Sequence, residues 1–159
     1  MKKVILFSGP IHSGKTTRLQ KFISDKNCDG IIAPVKDGKR YIQRIKTNEI
    51  RLLDTESEDS IQIGKHKFSK EILDWAKVQI QESLKNKIDY LVIDEIGKLE
   101  LRDEGYEPIV SEAINHFKAQ SDFNLVVVVR DSLANEVFKK YGLNNFEIEN
   151  PQALSEPEG

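Results

Sequence analysis

One nine-residue stretch near the amino terminus restricts what this chain can fold into more than any other part of the sequence. The stretch consists of Gly9, Pro10, Ile11, His12, Ser13, Gly14, Lys15, Thr16 and Thr17. It fits the spacing G-x-x-x-x-G-K-S/T. A short apolar segment at residues 3–7 precedes it, and Leu19, Phe22 and Ile23 follow it at helical spacing. Because this motif is trusted only between a strand and a helix, these flanks favour a phosphate-binding loop.

The residue types of the loop suit the binding of a polyphosphate. Gly9 and Gly14 allow backbone conformations that a Cβ would penalise, so successive N–H groups can turn toward the phosphates. The helix after the loop directs its positive end to the same place. Lys15 supplies a mobile charge for the β- and γ-phosphates, and the Thr16 hydroxyl is placed to ligate Mg²⁺. The alternative, a glycine turn that happens to precede a lysine, leaves the full spacing and both flanks unexplained.

The length and charge of the chain limit the classes of protein to which it can belong. With 159 residues and a net charge of −2, the chain is expected to form one domain without bulk attraction to nucleic acid or anionic membranes. We predict a single domain over residues 1–150 and a flexible tail over residues 151–159. Cys28 is the only cysteine, which excludes an intrachain disulfide and disfavours a cysteine-based metal site. The first apolar run is too short for a signal peptide or a membrane span, so we expect a cytoplasmic protein.

The order of apolar patterns along the chain predicts the fold class. Continuous apolar runs predict buried strands, and apolar residues recurring every three to four positions predict helices. The predicted strands are residues 2–8, 31–33, 88–93, 125–129 and 146–148, and the predicted helices are residues 14–26, a long helix from Ser69, a helix with Pro108 in its first turn, and residues 132–141. Strands that alternate with helices indicate an α/β fold, with a mostly parallel sheet covered on both faces.

A segment after the second strand is predicted to be antiparallel. Asp37 and Gly38 stand between two strand-like segments, which is a strong hairpin signal. A second turn is indicated at residues 47–48. Residues 30–54 are therefore expected to form a small antiparallel meander appended to the sheet, to which residues 61–64 return.

Two adjacent carboxylates form the second chemical element of the sequence. Asp94 and Glu95 directly follow the apolar strand at residues 88–93. In such sheets ligands bind at the carboxyl ends of the strands, where Gly9 is also expected. Asp94 suits a Mg²⁺ role together with Thr16, and Glu95 could orient and deprotonate a water that faces the γ-phosphate. The alternative is that two acids simply end a strand, but the upstream phosphate-binding loop favours the functional interpretation.

Residues 94–100, with the sequence D-E-I-G-K-L-E, and the loop at residues 9–17 together resemble the THEP1-type nucleoside-triphosphatases. Gly38 and Arg40 also resemble a G-x-R motif of that family. The resemblance implies a three-layer, RecA-like P-loop fold with strand order 5-1-4-3-2. It further implies Mg²⁺-dependent hydrolysis of ATP, GTP and other triphosphates with broad base tolerance. By this likeness, Asp94 is the acid linked to Mg²⁺ and Glu95 is the catalytic acid.

Three arginines are further candidates for the site. Arg130 ends the strand at residues 125–129, so it either points at the γ-phosphate or pairs with an acid such as Asp131 or Glu95. Arg40 and Arg44, on the meander, are weaker candidates, and one of the two is expected to contact phosphate or base. The histidines at positions 66 and 116 have no partner spacing for a metal and are expected at the surface.

The sequence leaves three functions open. The first is an enzyme that hydrolyses nucleoside triphosphates to diphosphates and phosphate with Mg²⁺, with Lys15, Glu95 and Arg130 as its catalytic residues. The second is a nucleotide or small-molecule kinase on the same scaffold, for which residues 36–51 would serve as an arginine-bearing lid. The third is a nucleotide-dependent switch that resets a partner protein. The expected ligands are ATP, GTP and other triphosphates, and the sequence names no protein partner.

Overall fold

The computed structural model describes residues 2–9, 15–120 and 122–151. The strands are β1 (Lys3–Gly9), β2 (Cys28–Ile32), β3 (Val35–Lys36), β4 (Lys39–Arg44), β5 (Ile50–Leu52), β6 (Ser60–Ile63), β7 (His66–Ser69), β8 (Tyr90–Asp94), β9 (Asn124–Arg130) and β10 (Glu147–Glu149). The helices are α1 (Lys15–Ile23), α2 (Lys70–Ser83), α3 (Lys98–Leu101), α4 (Ile109–Gln120) and α5 (Ala134–Tyr141), with a 3₁₀ turn at Asp131–Leu133.

Five strands of the main sheet run parallel, in the spatial order β10-β1-β9-β8-β2. When these five strands are numbered along the chain, the order reads 5-1-4-3-2. The α/β fold with a mostly parallel sheet is confirmed, and so is the strand order that the family resemblance implies. The shuffled order brings the first strand between the last two, which places residues from distant parts of the sequence at one edge of the sheet.

Helices cover both faces of the sheet and bury its apolar strands. Along β9, Leu125, Val127 and Val129 contact the core on the side of α2, α4 and α5, whereas Val126 and Val128 contact the core on the side of α1. All five residues are buried. A strand covered on both faces needs apolar residues at every position, which explains why the run is continuous rather than alternating.

The antiparallel meander is present as predicted. Strand β4 pairs antiparallel with β2, β3 and β5. The turn between β3 and β4 is formed by Asp37 and Gly38, whose φ angles are 53° and 77°. Two positive φ values in a two-residue turn match the right-handed twist of the flanking strands. The second turn contains Asn48, whose N–H donates to the Arg44 carbonyl at 2.9 Å.

Residues 61–64 do not return to the meander, so that prediction was wrong. Strand β6 pairs with β7 in a separate two-stranded sheet. The chain reverses at Gly64, which has a φ of 60° and gives β6 an antiparallel partner within the next few residues. The connection to the meander is instead a single bridge between Asp54 and Phe68.

Helix boundaries follow local capping chemistry. The Ser69 hydroxyl accepts the N–H of Ile72 at 3.2 Å, which caps α2 where the sequence predicted its start. Gly142 ends α5 in the left-handed conformation, also as predicted. Within the described ranges, the helices are all too short or too polar to cross a membrane.

Three element boundaries differ from the prediction. Helix α1 ends at Ile23 rather than at residue 26, because the chain turns there and the Lys26 N–H donates to the Ile23 carbonyl at 3.1 Å. Strand β2 begins at Cys28, three residues earlier than expected, because Cys28 already pairs with Tyr90 of β8. Pro108 lies immediately before α4 rather than in its first turn.

Candidate active site

The strand register gathers the predicted site residues at the carboxyl edge of the sheet. Strand β9 lies between β1 and β8, and it pairs with Gly9 through Arg130 and with Asp94 through Val128. Neighbouring strands are about 4.8 Å apart. The end of the first strand, the acid at the end of β8 and the arginine at the end of β9 are therefore near neighbours, although they lie far apart in the sequence.

The predicted phosphate-binding loop lies in sequence between this edge and α1. Gly9 is the last residue of β1, and Lys15 and Thr16 lie in the first turn of α1. The loop residues between them, Pro10, Ile11, His12, Ser13 and Gly14, lie outside the described residues. The strand and the helix that the motif requires are thus both present, and the amino terminus of α1 follows the loop directly.

Asp94 is buried and is fixed to the neighbouring strand. Its side chain is 1% exposed, and its Oδ2 accepts the N–H of Ala33, just after β2, at 3.0 Å. Its backbone carbonyl accepts the hydroxyl of Tyr106 at 3.2 Å. A buried carboxylate held in one orientation at the end of a strand is suited to present its charge at the sheet edge.

Glu95 differs from Asp94 in its surroundings. It is partly exposed, and its side chain has no hydrogen bond or ion pair within the described parts of the chain. The next residue, Ile96, is fully buried, and its N–H donates to the carbonyl of Val128 at 2.9 Å. The backbone that carries Glu95 is therefore fixed to β9, while its carboxylate remains available at the surface of the site.

Arg130 carries an unsatisfied donor at the same edge. Its Nε is buried and has no hydrogen-bond partner among the described residues. The sequence left open whether Arg130 pairs with Asp131 or Glu95, and no such ion pair occurs in the described part of the structure. A buried, unsatisfied donor costs roughly 1–3 kcal/mol. An arginine in this state beside Gly9 is consistent with a site completed by an anionic ligand.

The meander brings one of its arginines to the site. Arg40 donates from Nη1 to the carbonyl of Ala33 at 2.9 Å, and the N–H of Ala33 donates to Asp94. Ala33 therefore links Arg40 to the Asp94 carboxylate. The backbone N–H of Arg40 also donates to Asp54 at 2.8 Å, which fixes the hairpin against the end of the meander.

Of the two candidate arginines on the meander, Arg44 is the one bound within the protein interior. Its guanidinium makes two hydrogen bonds of 2.7 Å to the carboxylate of Asp29, and both side chains are buried. It also donates to Gln79 of α2 at 2.9 Å. The sequence could not reveal this role, because the partners meet only when β2, β4 and α2 pack together.

Two residues near the site were not assigned a role from the sequence. Glu100, in α3, accepts the N–H of Gly97 at 2.8 Å and the N–H of Tyr106 at 3.0 Å. Burial raises the pKa of Glu100 to about 7 despite these two hydrogen bonds. The pKa of Tyr106 is raised well above its usual value, first by burial and then by the charges of Glu100 and Asp94. The spacing of Gly97 and Glu100 was the available signal, since an acid three residues after a helix cap often bonds back to it.

Comparison with known families identifies the chain. The sequence profile of a family described as NTPase matches residues 4–150. The chain belongs to the NTPase family. Among curated proteins, the nucleoside-triphosphatase THEP1 of Methanocaldococcus jannaschii is 29% identical over 164 aligned positions, which cover 96% of this chain and 92% of that protein. The resemblance to THEP1-type proteins is confirmed.

Two solved structures share the fold of this NTPase family member. The crystal structure of THEP1 from the hyperthermophile Aquifex aeolicus has a TM-score of 0.60 and 18% sequence identity, and the match covers 94% of this chain and 89% of that one. The solution structure of a human cancer-related nucleoside triphosphatase has a TM-score of 0.64 and 17% identity, with 94% and 88% covered. At these identities the likeness concerns the fold, including the arrangement of strands that forms the carboxyl edge.

Proposed function

We propose that this member of the NTPase family hydrolyses nucleoside triphosphates to diphosphates and phosphate with the help of Mg²⁺. The observation that carries the proposal is the convergence of Gly9, Asp94 and Arg130 at one sheet edge, with Glu95 next to Asp94 and partly exposed. The name of the Methanocaldococcus jannaschii relative, a nucleoside-triphosphatase, supports the same reaction.

Binding is assigned to the loop at residues 9–17 and to the start of α1. The backbone N–H groups of the loop would surround the phosphates, and the positive end of α1 would favour their negative charge. Lys15 would contact the β- and γ-phosphates. The triphosphate is held mainly through its phosphates in this arrangement.

The donor set at the edge fits a magnesium ion that is bound together with its nucleotide. Mg²⁺ is usually bound by one or two carboxylates in addition to substrate phosphates and water. Asp94 would supply one carboxylate, and Thr16, at the sequence position that the motif requires, would supply a hydroxyl. Within the described residues no cluster of three or more histidine, cysteine or acidic side chains could hold a metal without the nucleotide. When bound, Mg²⁺ would neutralise charge on the β- and γ-phosphates.

Two side chains are assigned to the chemical step. Glu95 would accept a proton from the attacking water and orient that water toward the γ-phosphate. Arg130, whose Nε has no partner among the described residues, would stabilise the charge that develops on the phosphoryl oxygens. Lys15 contributes to the same charge stabilisation. The proposal thus separates residues that hold the nucleotide from residues that lower the barrier.

Hydrolysis is favoured over transfer to another acceptor by the state of the meander arginines. A kinase lid would need several of them over the phosphates. Arg44 is bound to Asp29, and the Arg51 guanidinium lies 4.6 Å from the Trp75 ring centroid while it also pairs with Glu49. Only Arg40 of the three is linked to the site, through Ala33. Water is therefore the proposed acceptor.

We further propose low selectivity for the base and a cytoplasmic location. The residues assigned to binding would contact the phosphates rather than the base. The turnover rates of ATP, GTP, CTP and UTP should agree within about a hundredfold. A site with hydrogen bonds arranged to select one base would give a larger ratio.

The mechanism is tested by comparing neighbouring variants. Glu95→Gln keeps the size of the side chain but cannot accept a proton, so the single-turnover rate should fall by ~10²–10⁴ while nucleotide affinity is unchanged. Asp94→Asn should weaken Mg²⁺-dependent binding as well as turnover, because a neutral amide is a poorer Mg²⁺ ligand than a carboxylate. Calorimetry with a non-hydrolysable triphosphate and single-turnover phosphate release separate the two effects.

Lys15→Ala provides the control for loss of binding, and it should abolish both affinity and turnover. A normal hydrolysis rate for Glu95→Gln would refute the assigned role of Glu95. If Glu95→Gln keeps a normal rate and phosphate is transferred to an added metabolite, the kinase alternative is supported. A partner protein whose affinity for this chain depends on the bound nucleotide would support the switch alternative.

A further inference from the structure

A closed set of hydrogen bonds fixes both ends of the segment that carries Glu95. This inference rests on the proposed function, in which Glu95 is the catalytic acid. The Tyr106 hydroxyl donates to the Asp94 carbonyl at 3.2 Å, on one side of Glu95. On the other side, the Glu100 carboxylate accepts the Gly97 N–H at 2.8 Å. The same carboxylate accepts the Tyr106 N–H at 3.0 Å, which closes the ring.

The ring is buried and tightly packed. Glu100 is 4% exposed and Tyr106 is 4% exposed, so water does not compete for these bonds. Gly105 packs directly on the carboxylate: a Cβ at this position would lie 2.2 Å from Oε2 of Glu100. Gly105 also has a φ of 67°, which side chains rarely allow. The loop before α4 is therefore fitted to the Glu100 carboxylate rather than resting loosely beside it.

Each hydrogen bond of the ring holds a backbone group, and none of them involves a side chain assigned to contact with the nucleotide. Together with the bond from the Ile96 N–H to Val128, the ring accounts for a backbone group at each of residues 94, 96 and 97. The Glu95 carboxylate accepts no hydrogen bond within the described residues, so its position depends on the backbone that carries it. A displacement of about 1 Å at such a group can cost about a hundredfold in rate.

We propose that Tyr106 and Glu100 are positioning residues, which hold the Glu95 carboxylate at the distance that proton transfer from water requires. They act through the backbone of residues 94–97 and touch neither nucleotide nor water. Of the two residues, Tyr106 is the simpler to test, because phenylalanine removes the hydroxyl and keeps the aromatic side chain and its packing. Loss of the hydroxyl leaves the Asp94 carbonyl without this donor and loosens the backbone next to Glu95.

The chain offers a matched control for the loss of a buried tyrosine hydroxyl. Tyr141 is 5% exposed, and its hydroxyl donates to Glu107, a residue of the same loop as Tyr106. Tyr141→Phe thus removes a hydrogen bond of similar burial that does not reach the Glu95 segment. Any general loosening of the loop should appear in both variants, whereas an effect on Glu95 should appear only in Tyr106→Phe.

The test compares steady-state and single-turnover hydrolysis for the two variants. Tyr106→Phe should lower kcat by about 10- to 100-fold with nucleotide affinity and KM within about twofold of the parent, since an interaction that acts only on the chemical step changes kcat. Tyr141→Phe should leave kcat within about twofold. An equal loss of kcat in both variants, or a change confined to KM, would overturn the positioning role.

A double-mutant cycle links the effect to Glu95. In the Glu95→Gln background, Tyr106→Phe should cause no further loss, because the group it positions is already inactive. A full additional loss in that background would overturn the proposal. If the parent chain does not hydrolyse triphosphates, the proposed function itself fails, and if Glu95→Gln alone hydrolyses at the parental rate, the role assigned to Glu95 fails. Both outcomes are distinct from a parental rate in Tyr106→Phe beside an inactive Glu95→Gln, which overturns only the positioning role.

A second variant keeps the proposal testable if Tyr106→Phe does not fold. Glu100→Gln retains one acceptor oxygen and replaces the other by an NH₂ group, which cannot accept an N–H. Either the Gly97 bond or the Tyr106 bond is then lost. This variant should show the same loss of kcat without a change in nucleotide affinity, and a parental kcat would contradict the ring as a positioning device.

Discussion

The same sheet carries acids and arginines in two regions that differ in how completely the protein satisfies their polar groups. In the interior, Asp29 of β2 is fully buried and meets Arg44 of β4 through two hydrogen bonds of 2.7 Å. Its carboxylate also accepts the N–H of Gly30 at 2.8 Å and the amide of Asn86 at 3.0 Å. Every strong donor around this carboxylate belongs to the protein.

At the carboxyl edge, Arg130 keeps a buried donor that no described residue satisfies. Asp94 lies three residues beyond Leu91, the partner of Asp29 in the register, and Arg130 ends the adjacent strand. The Nε of Arg130 is buried without a partner among the described residues, and Arg130 forms no ion pair with Glu95. The comparison teaches that a buried charge alone does not mark a site. A site is indicated where the protein has fixed charged groups and left donors for a ligand to satisfy.

The largest effect should come from removing the unsatisfied arginine. Arg130→Gln should lower the single-turnover rate by about 10³-fold or more, as expected for an arginine that stabilises phosphoryl transfer. Its effect on the free energy of unfolding should be small, because the Nε of Arg130 donates no hydrogen bond that the substitution would remove. Phosphate release and urea denaturation measure the two quantities. A large loss of stability with a normal rate would show that Arg130 belongs with Arg44 as a structural residue.

The next variant should lower stability and leave the hydrolysis rate unchanged. Asp29→Asn leaves the buried Arg44 guanidinium without its anionic partner, and breaking a buried pair in this way typically costs about 3–5 kcal/mol. The midpoint of urea denaturation should fall, while the folded fraction should hydrolyse at the parental rate. The double variant Asp29→Asn with Arg44→Met should recover part of the stability, because it removes the unpaired charge as well. A loss of rate without a loss of stability would contradict the structural role of this pair.

The contrast between the two regions also explains what the sequence could reveal. Gly9, Asp94 and Arg130 were assigned to one edge because each directly follows a run that predicts a buried strand, and the ends of parallel strands meet. The order of those strands came from the resemblance to a family. Apart from the G-x-R match that includes Arg40, nothing local distinguishes Arg44 from Arg40, since both lie on β4 four residues apart. Their different roles are set by the partners that packing brings to them, Asp29 in one case and Ala33 in the other.

The hydrogen-bonded ring around the Glu95 segment could not be predicted from the sequence for a similar reason. Glu100 was recognised only as part of a family motif, and Tyr106 was given no role. Their hydrogen bonds depend on a loop that returns to the end of β8 and on a glycine at position 105 with an uncommon φ. Local patterns identify the residues that begin or end an element. They do not identify which pairs of buried polar groups will meet across a loop.

The third prediction uses pH to compare two buried carboxylates, Asp29 and Glu100. Burial alone would raise the pKa of Asp29, but the hydrogen bonds from Arg44, Gly30 and Asn86 bring it below its usual value of 3.8. Asp29 therefore adds stability above that pH, and this stability is lost as the pH falls through the lowered pKa. Burial has the larger effect on Glu100 and raises its pKa from 4.5 to about 7. Among the described residues, no arginine pairs with Glu100 to offset that burial.

The sign for Glu100 is therefore reversed. Between pH 4.5 and about 7 the folded protein keeps a proton on Glu100 that the unfolded chain has released, so stability falls as the pH rises through this window. A pKa difference of this size corresponds to about 3 kcal/mol. The free energy of unfolding of the parent, minus that of Glu100→Gln, should therefore decrease by about this amount between pH 4.5 and 7.5, because glutamine does not titrate. Urea denaturation at several pH values measures the difference, and contributions from the histidines and the other acids cancel in the subtraction. A difference that stays constant would mean that Glu100 is ionised throughout this range and that the two hydrogen bonds outweigh its burial, which would place it with Asp29 among the fully satisfied charges.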